Sequence, residues 1–237
     1  MEQSQMDLVA QYGMSKGWKL LPRIILVEGT SDVAFFEKAA ELYQKSTGRS
    51  LLTGLAIIAA GHGDRGGTSG VVRELIGLRN MASTLLTPSG ALAYRVIGLF
   101  DNDTAGQKAV NGARAVDSSI IEYRDVFRLR PVMPKTGSLD PKALQRSFDQ
   151  LDSTWKGLTW ELEDLISQPL IELFIEEYPA ALISSATISG FTHREFTRDG
   201  KSNLVRFCRE HADLDSLSLL VETLHSLRHY MNLPPLV

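Results

Sequence analysis

Hydrophobic residues in the first half of the chain are concentrated in three short runs, at residues 23–28, 51–60 and 96–100. They are rich in Ile, Val, Leu and Ala, and a helical spacing of apolar residues follows each of them. Short apolar runs of this kind are typical of interior strands in a parallel sheet. The pattern predicts helices at 30–47, 71–86 and 104–115, a helical segment before residue 19, and one further strand or two short ones within 119–129.

The pattern changes after a stretch of turn-forming residues at 131–141, which we take as a boundary. The fold class is therefore α/β, an open and mostly parallel sheet flanked by helices, with a C-terminal helical appendage. The expected divisions are an N-terminal helical segment at 1–22, a sheet domain at 23–135 and a helical region at 136–237. Within that region the predicted helices are 160–178, 179–189, 202–211 and 214–231.

Three acidic residues stand where the predicted strands end. Glu28 closes the first run, and Asp101 and Asp103 follow the third. The functional crevice of an open parallel sheet lies beyond the carboxyl ends of its strands, so these side chains should converge. Grouped carboxylates are ligands that Mg²⁺ or Mn²⁺ prefers. The ordinary alternative for any single one of them is a helix cap or a turn.

These residues resemble the two motifs of TOPRIM domains. Val27-Glu28-Gly29-Thr30-Ser31-Asp32 is similar to the glutamate motif, and Phe100-Asp101-Asn102-Asp103-Thr104-Ala105-Gly106 is similar to the Asp-x-Asp motif. The resemblance covers residues 23–130. Such domains occur in topoisomerases, bacterial primases, ribosomal RNA maturation nucleases and nucleases of the overcoming-lysogenization-defect (OLD) type. The resemblance implies that the acids bind a divalent metal for phosphodiester chemistry.

The resemblance and the charge of the transition state together assign roles. Carboxylates holding one or two divalent ions stabilise the negative charge that accumulates on phosphate oxygens. Glu28, Asp101 and Asp103 are the candidate catalytic and metal-binding residues, and Asp32, one helical turn after Glu28, is a candidate for a further metal ligand or for an acid that supports the ligands. Gly29 and Gly106 would let the backbone approach the phosphate.

A further acidic segment, Trp160-Glu161-Leu162-Glu163-Asp164-Leu165, lies in the tail. In OLD-type and some stand-alone TOPRIM nucleases a downstream acidic motif helps to bind metal, so Glu161 and Glu163 are candidate ligands. Helical spacing would place Glu161 and Asp164 on one face and Glu163 elsewhere. The alternative is an acidic first turn favoured by the helix dipole.

Candidate contacts to phosphate are spread over three segments. The glycine-rich stretch 61–70 can cradle an anion through its backbone amides, and it is equally typical of a surface loop. A second segment is the helix after the aspartate pair, and a third is the basic stretch 193–201, whose interleaved acids also fit a charged surface. The candidate side chains are His62, Arg65, Lys108, Arg194, Arg198 and Lys201.

Composition limits the setting. The only cysteine, Cys208, excludes a disulfide framework and lies in an apolar context typical of a core. No leader and no membrane-spanning run is evident, so we expect a soluble, cytoplasmic protein without a membrane partner. A net charge of -3 means that nucleic-acid binding must be local or supplied by a partner.

The leading hypothesis is a stand-alone nuclease that hydrolyses DNA or RNA with Mg²⁺ or Mn²⁺. The chain is too short to contain the strand-passage domains of a topoisomerase. Too few residues precede the first strand to form the usual primase domains, so primase-like nucleotidyl transfer is a lesser alternative. Stand-alone proteins of this type are often effectors of bacterial anti-phage or toxin systems beside an ATPase, which implies an ATPase partner and, as a further option, a homo-oligomer. The competing hypothesis is a noncatalytic assembly module that docks a partner through an apolar stripe at Leu217, Leu220, Leu224 and Leu227, although a stripe of this kind is more often part of the core.

Overall fold

A four-stranded parallel sheet forms the centre of the protein. The computed structural model describes residues 7–61, 66–155 and 157–236. All three strand pairs of the sheet are parallel, and the strand order is β2-β1-β3-β4. The strands are β1 (Arg23–Val27), β2 (Leu55–Ala59), β3 (Arg95–Phe100) and β4 (Val126–Arg128). The predicted α/β class with an open parallel sheet is therefore confirmed.

Eight helices accompany these strands within the described residues. A helix follows each of the first three strands, as the hydrophobic pattern predicts. The second helix ends at Gly48, which adopts the left-handed conformation (φ 74°) that favours glycine. The helices are α1 (Leu8–Ser15), α2 (Thr30–Thr47), α3 (Gly67–Ala82), α4 (Thr104–Val116), α5 (Pro141–Asp152), α6 (Gln168–Glu177), α7 (Arg198–His211) and α8 (Ser218–Tyr230).

Helices cover the sheet on both faces, and alternate residues of each strand point to opposite sides. On β1, Ile24 and Leu26 belong to a core shared with α1, α3 and α4. Ile25 and Val27 belong to the other core, which includes α2, α5, α6, α7 and α8. Strands covered on both faces explain the unbroken apolar runs in the sequence.

The C-terminal region packs on the α2 side of the sheet. The four leucines of the proposed docking stripe, Leu217, Leu220, Leu224 and Leu227, are all 0% exposed. The stripe is core, so the prediction that it docks a partner is wrong. Arg23 at the start of β1 donates to the carbonyl of Met231 over 3.1 Å, a contact that joins the sheet to the end of α8.

The predicted tail helices are only partly correct. An antiparallel hairpin, β5 (Leu182–Ile188) and β6 (Phe191–Phe196), replaces the helix predicted at 179–189. The segment 160–178 contains a short 3-10 turn at Leu162–Leu165 before α6 begins. Near the second strand, residues 51–54 form turns rather than strand. No helix in the described ranges combines the length and the hydropathy needed to cross a membrane.

Candidate functional site at the carboxyl edge of the sheet

Glu28 and Asp101 meet at the carboxyl ends of β1 and β3. These strands are neighbours and run parallel, with Leu26 opposite Gly98, so the residues that follow them emerge side by side. The backbone N–H of Asp101 donates to Oε1 of Glu28 over 3.3 Å. The sheet topology therefore brings the two motif acids together.

Asp32 reaches the same place from the first turn of α2. Its Oδ2 accepts a hydrogen bond from the backbone N–H of Gly29 over 2.9 Å, a cap that fixes the carboxylate above the end of β1. A cavity of about 10 Å³ lies between the acids, lined by Glu28, Asp32 and Asp101 and otherwise by apolar residues such as Phe36 and Leu162. This volume is about that of one water-sized sphere.

Asp103 has a different position from its motif partner. It caps α4, with Oδ1 accepting from the backbone N–H of Gly106 over 2.6 Å, and it does not line the cavity. Its charge nevertheless helps to raise the pKa of Glu28, so it lies near the group. Of the two aspartates, Asp101 is the one placed among the other acids.

The structure requires glycine at only one of the two motif glycines. A Cβ at Gly106 would lie 2.1 Å from the backbone oxygen of Asp101, so only glycine allows α4 to start this close to the strand end. A Cβ at Gly29 would meet nothing closer than Oγ of Ser31 at 3.7 Å, and its backbone is extended. Approach of a phosphate to either glycine remains a prediction.

The tail acids are brought to the site by backbone pairing. The N–H of Asn102, between the two aspartates, donates to the carbonyl of Trp160 over 2.8 Å, and the N–H of Trp160 donates back over 3.3 Å. This isolated antiparallel bridge places the 3-10 turn Leu162–Leu165 beside the strand ends. The acidic segment thus joins the motifs although about 60 residues separate them in sequence, a distance no local pattern reveals.

Lys201, in the first turn of α7, is the cation of this cluster. Its Nζ lies 2.8 Å from Oε2 of Glu161 and 3.1 Å from Oε1 of Glu163. The sequence predicts that Glu161 and Asp164 share a face and that Glu163 points elsewhere. The structure contradicts the placement of Glu163, because Glu161 and Glu163 share Lys201, whereas the side chain of Asp164 accepts hydrogen bonds from backbone N–H groups. Lys201 itself, predicted as a phosphate ligand, is held by acids.

The carboxylates raise one another's pKa. Burial, together with the charges of Asp32 and Asp103, raises the pKa of Glu28 to about 7. Burial and then the charge of Glu163 raise the pKa of Asp32 to about 7. Burial, Asp32 and Glu28 raise the pKa of Asp101 well above its ordinary value. Ionised, the cluster carries more negative charge than one lysine offsets, which favours binding of a further cation.

Lys201 and Glu163 affect each other's pKa. Burial raises the pKa of Glu163, and the charge of Lys201 opposes that shift. Burial lowers the pKa of Lys201, but the charges of Glu163 and Glu161 more than compensate, so its pKa lies above the ordinary value. Lys201 therefore stays protonated throughout the neutral range.

Asp164 joins the acidic segment to the β5–β6 hairpin. It accepts hydrogen bonds from the backbone N–H groups of Glu161 (2.8 Å) and Arg194 (2.9 Å), and from Nδ1 of His193 (2.6 Å). The hydrogen bond to Asp164 raises the pKa of His193. The pairing of His193 with Asp164 was not predicted, because 29 residues separate them and no local pattern links the acidic segment to the basic stretch.

The remaining phosphate candidates do not converge. Arg194 is 6% exposed and donates to the side chain of Gln168, so it does not present the open surface that the sequence suggested. Arg198 and Lys108 are exposed, on α7 and α4 respectively. His62 and Arg65 lie outside the described residues. Phosphate contact by Arg198 or Lys108 stays a prediction.

The ligand atoms at this site are of the type that a hard divalent cation prefers, but they are not yet arranged around one position. Glu28, Asp32 and Asp101 supply only oxygen atoms around the small cavity, as Mg²⁺ or Mn²⁺ requires. In the parts of the chain that the structure describes, however, no group of three or more Asp, Glu, His or Cys side chains is already arranged to hold a metal ion. Binding would need the three carboxylates to move closer together around the ion.

Comparisons with protein-family models, with curated proteins and with solved structures gave no match to this chain.

Proposed function

We propose that this protein hydrolyses phosphodiester bonds in DNA or RNA with the help of Mg²⁺ or Mn²⁺. The observation that carries the proposal is the cavity lined by Glu28, Asp32 and Asp101 at the carboxyl edge of a parallel sheet. Edges of this kind are where open α/β sheets bind their ligands. Burial and the charges of the neighbouring acids raise the pKa values of these carboxylates, and a cation that binds there would relieve the cost of ionising them.

In this proposal the chain's residues have distinct tasks. Glu28, Asp32 and Asp101 would hold the ion, whose chemistry is to stabilise charge on phosphate oxygens and to make a bound water more acidic. Phe36 and Leu162 form an apolar wall that excludes water and so strengthens the electrostatic interactions in the cavity. Gly106 has no Cβ, so α4 can start next to the backbone oxygen of Asp101 without displacing that residue.

The TOPRIM resemblance supports the same reaction. Its two motifs follow adjacent parallel strands, and the acidic segment of the tail lies beside them. The resemblance also motivates proposals about the setting: a cytoplasmic effector in anti-phage defence, working with an ATPase partner or as a homo-oligomer. The acidic net charge fits a nuclease whose substrate is delivered by such a partner.

A cleavage assay tests the proposal. Plasmid DNA, single-stranded DNA and structured RNA are incubated with Mg²⁺, Mn²⁺ or EDTA and with wild type, Glu28→Gln, Asp101→Asn or the exposed control Asp215→Asn. We expect cleavage to depend on metal and to fall by at least about 100-fold in the first two variants, the upper end of the loss seen for residues that merely support metal ligands. Asp215→Asn should retain activity.

Two outcomes would count against the proposal. Activity that survives both Glu28→Gln and Asp101→Asn would place the chemistry elsewhere. A folded wild type that binds Mn²⁺ yet cleaves none of the substrates, alone or with an ATPase partner, would favour the noncatalytic assembly module.

A further inference from the structure

The acidic cluster has two halves, and among the described residues only one half contains a cation. One half consists of the motif acids around the small cavity, and the other consists of Glu161 and Glu163 around the ammonium of Lys201. The inference below rests on the proposed function and concerns how many metal ions the site takes.

The cavity half has room for a single small ion. Its volume of about 10 Å³ is near that of one water-sized sphere. The rest of its lining consists of apolar residues, including Phe36 and Leu162, whose side chains offer no ligand atoms. Glu28, Asp32 and Asp101 are the residues with carboxylates on its lining.

The other half already contains a positive charge. Glu163 is 2% exposed, and a buried carboxylate is costly unless a cation lies beside it. Lys201 supplies that cation at 3.1 Å, and it contacts Glu161 at 2.8 Å. Among the described residues Oε1 of Glu163 makes no hydrogen bond of regular geometry, so its contact with Lys201 is chiefly one of charge.

Lys201 is also held in place by the fold. Thr197 caps α7 by accepting a hydrogen bond from the backbone N–H of Gly200 over 2.9 Å, which fixes the turn that carries Lys201. A Cβ at Gly200 would lie 2.9 Å from the carbonyl of Ala181, so this turn is packed closely against the start of the hairpin. The backbone that carries Lys201 is therefore fixed, and the ammonium is held by its contacts with Glu161 and Glu163.

We propose that Lys201 takes the place of a second metal ion, so that the site binds one divalent cation at Glu28, Asp32 and Asp101 while a fixed ammonium neutralises Glu161 and Glu163. Lysine suits this task because its ammonium is a compact point charge with three donors. The tail acids then act as an anchor for Lys201, and they do not coordinate metal themselves.

The stoichiometry of Mn²⁺ binding to the full chain, measured by isothermal titration calorimetry, tests this proposal without reference to activity. We expect one ion per wild-type chain. Lys201→Met should bind a second ion, because Glu161 and Glu163 lose their cation. Lys201→Arg should keep one ion, and the exposed control Lys142→Met should behave as wild type. The double variant Lys201→Met/Glu163→Gln removes the buried pair together and should also bind one ion.

The double variant keeps the test decisive where Lys201→Met alone fails to fold. Two ions in the wild type, two ions in the folded double variant, or one ion in a folded Lys201→Met would each overturn the proposal, as would no binding to the wild type. If the wild type binds one ion, Lys201→Met binds two and nothing is cleaved, the inference stands and the proposed hydrolysis fails. If the wild type binds two and cleaves nucleic acid, the hydrolysis stands and the inference fails.

Discussion

Replacing Gly106 by alanine should distort the start of α4 and destabilise the protein. The new Cβ would lie 2.1 Å from the backbone oxygen of Asp101, and it would also lie 3.3 Å from Oδ1 of Asp103. A backbone oxygen cannot rotate aside as a flexible side chain can, so either the helix or the strand end must move. Gly112 in the same helix is the matched control, since a Cβ there meets nothing within 4 Å.

The two substitutions should differ in sign. Alanine in place of glycine within a helix gains roughly 0.5–1 kcal/mol, and Gly112→Ala should show that gain. At Gly106 the overlap should cost about 1–3 kcal/mol, as overpacked sites typically do. The variants should therefore differ by about 1.5–4 kcal/mol, which for a chain of this size is a difference of roughly 3–16 °C in melting temperature.

Thermal and urea denaturation of Gly106→Ala, Gly112→Ala and the wild type measure this difference. Because the movement also displaces Asp101, Gly106→Ala should bind Mn²⁺ more weakly than Gly112→Ala does. If both variants melt within about 2 °C of each other, the close approach of α4 to Asp101 is not a constraint in the folded protein.

Three further results are expected. In EDTA, the free energy of unfolding should fall as the pH rises from about 4 to about 7, because the acids ionise near pH 4 in the unfolded chain but only near pH 7, the pKa of Glu28 and Asp32, in the folded protein. Urea denaturation at several pH values measures this fall, and Asp32→Asn should reduce it. Asp164→Ala should cost about 2–4 kcal/mol in the same assay, since three donors lose their acceptor, and Asp164→Asn should lower the pKa of His193 in an NMR titration. The thiol of Cys208, which is 1% exposed and whose pKa burial raises to about 12, should react with a thiol reagent only after unfolding.

Each of these results has a control. Asp215→Asn, at an exposed acid, should leave the pH dependence of stability unchanged, and a wild type equally stable across that range would contradict the burial of the acids. Asp149→Ala, exposed on α5, should cost little; a similarly small loss for Asp164→Ala would mean that its hydrogen bonds contribute little. Rapid labelling of Cys208 in the native protein would show that α7 opens locally.

The parts of the fold predicted from sequence are those encoded by local patterns. The runs ending at Glu28 and Asp101 predict interior strands, and Gly48 predicts where α2 stops. The hairpin was missed because Ser184 and Ser185 interrupt its apolar pattern. Its signal was the dipeptide Ser189-Gly190, both with positive φ, a two-residue turn of the kind that joins antiparallel strands.

The residues of the site also divide into those that local patterns predict and those that only tertiary packing brings in. The motif acids are found by strand position, since parallel neighbours must end at the same edge. Lys201 and His193 reach the acidic segment through tertiary packing over 29–40 residues, and no periodicity records that distance. Asp103 was placed with Asp101 because alternate residues of an extended segment share a face, but helix capping outweighs that tendency here.

The bridge between Asn102 and Trp160 has a consequence for the order of events during protein synthesis. A ribosome adds about 5–20 residues per second, so Lys201 leaves it about 5–20 s after Asp101. During that interval the nascent sheet can form while its edge lacks both the tail acids and the ammonium that pairs with them. The complete charge cluster therefore exists only on a chain whose C-terminal region has already docked, and a polypeptide released early, before Lys201, carries the motif acids without the completed cluster.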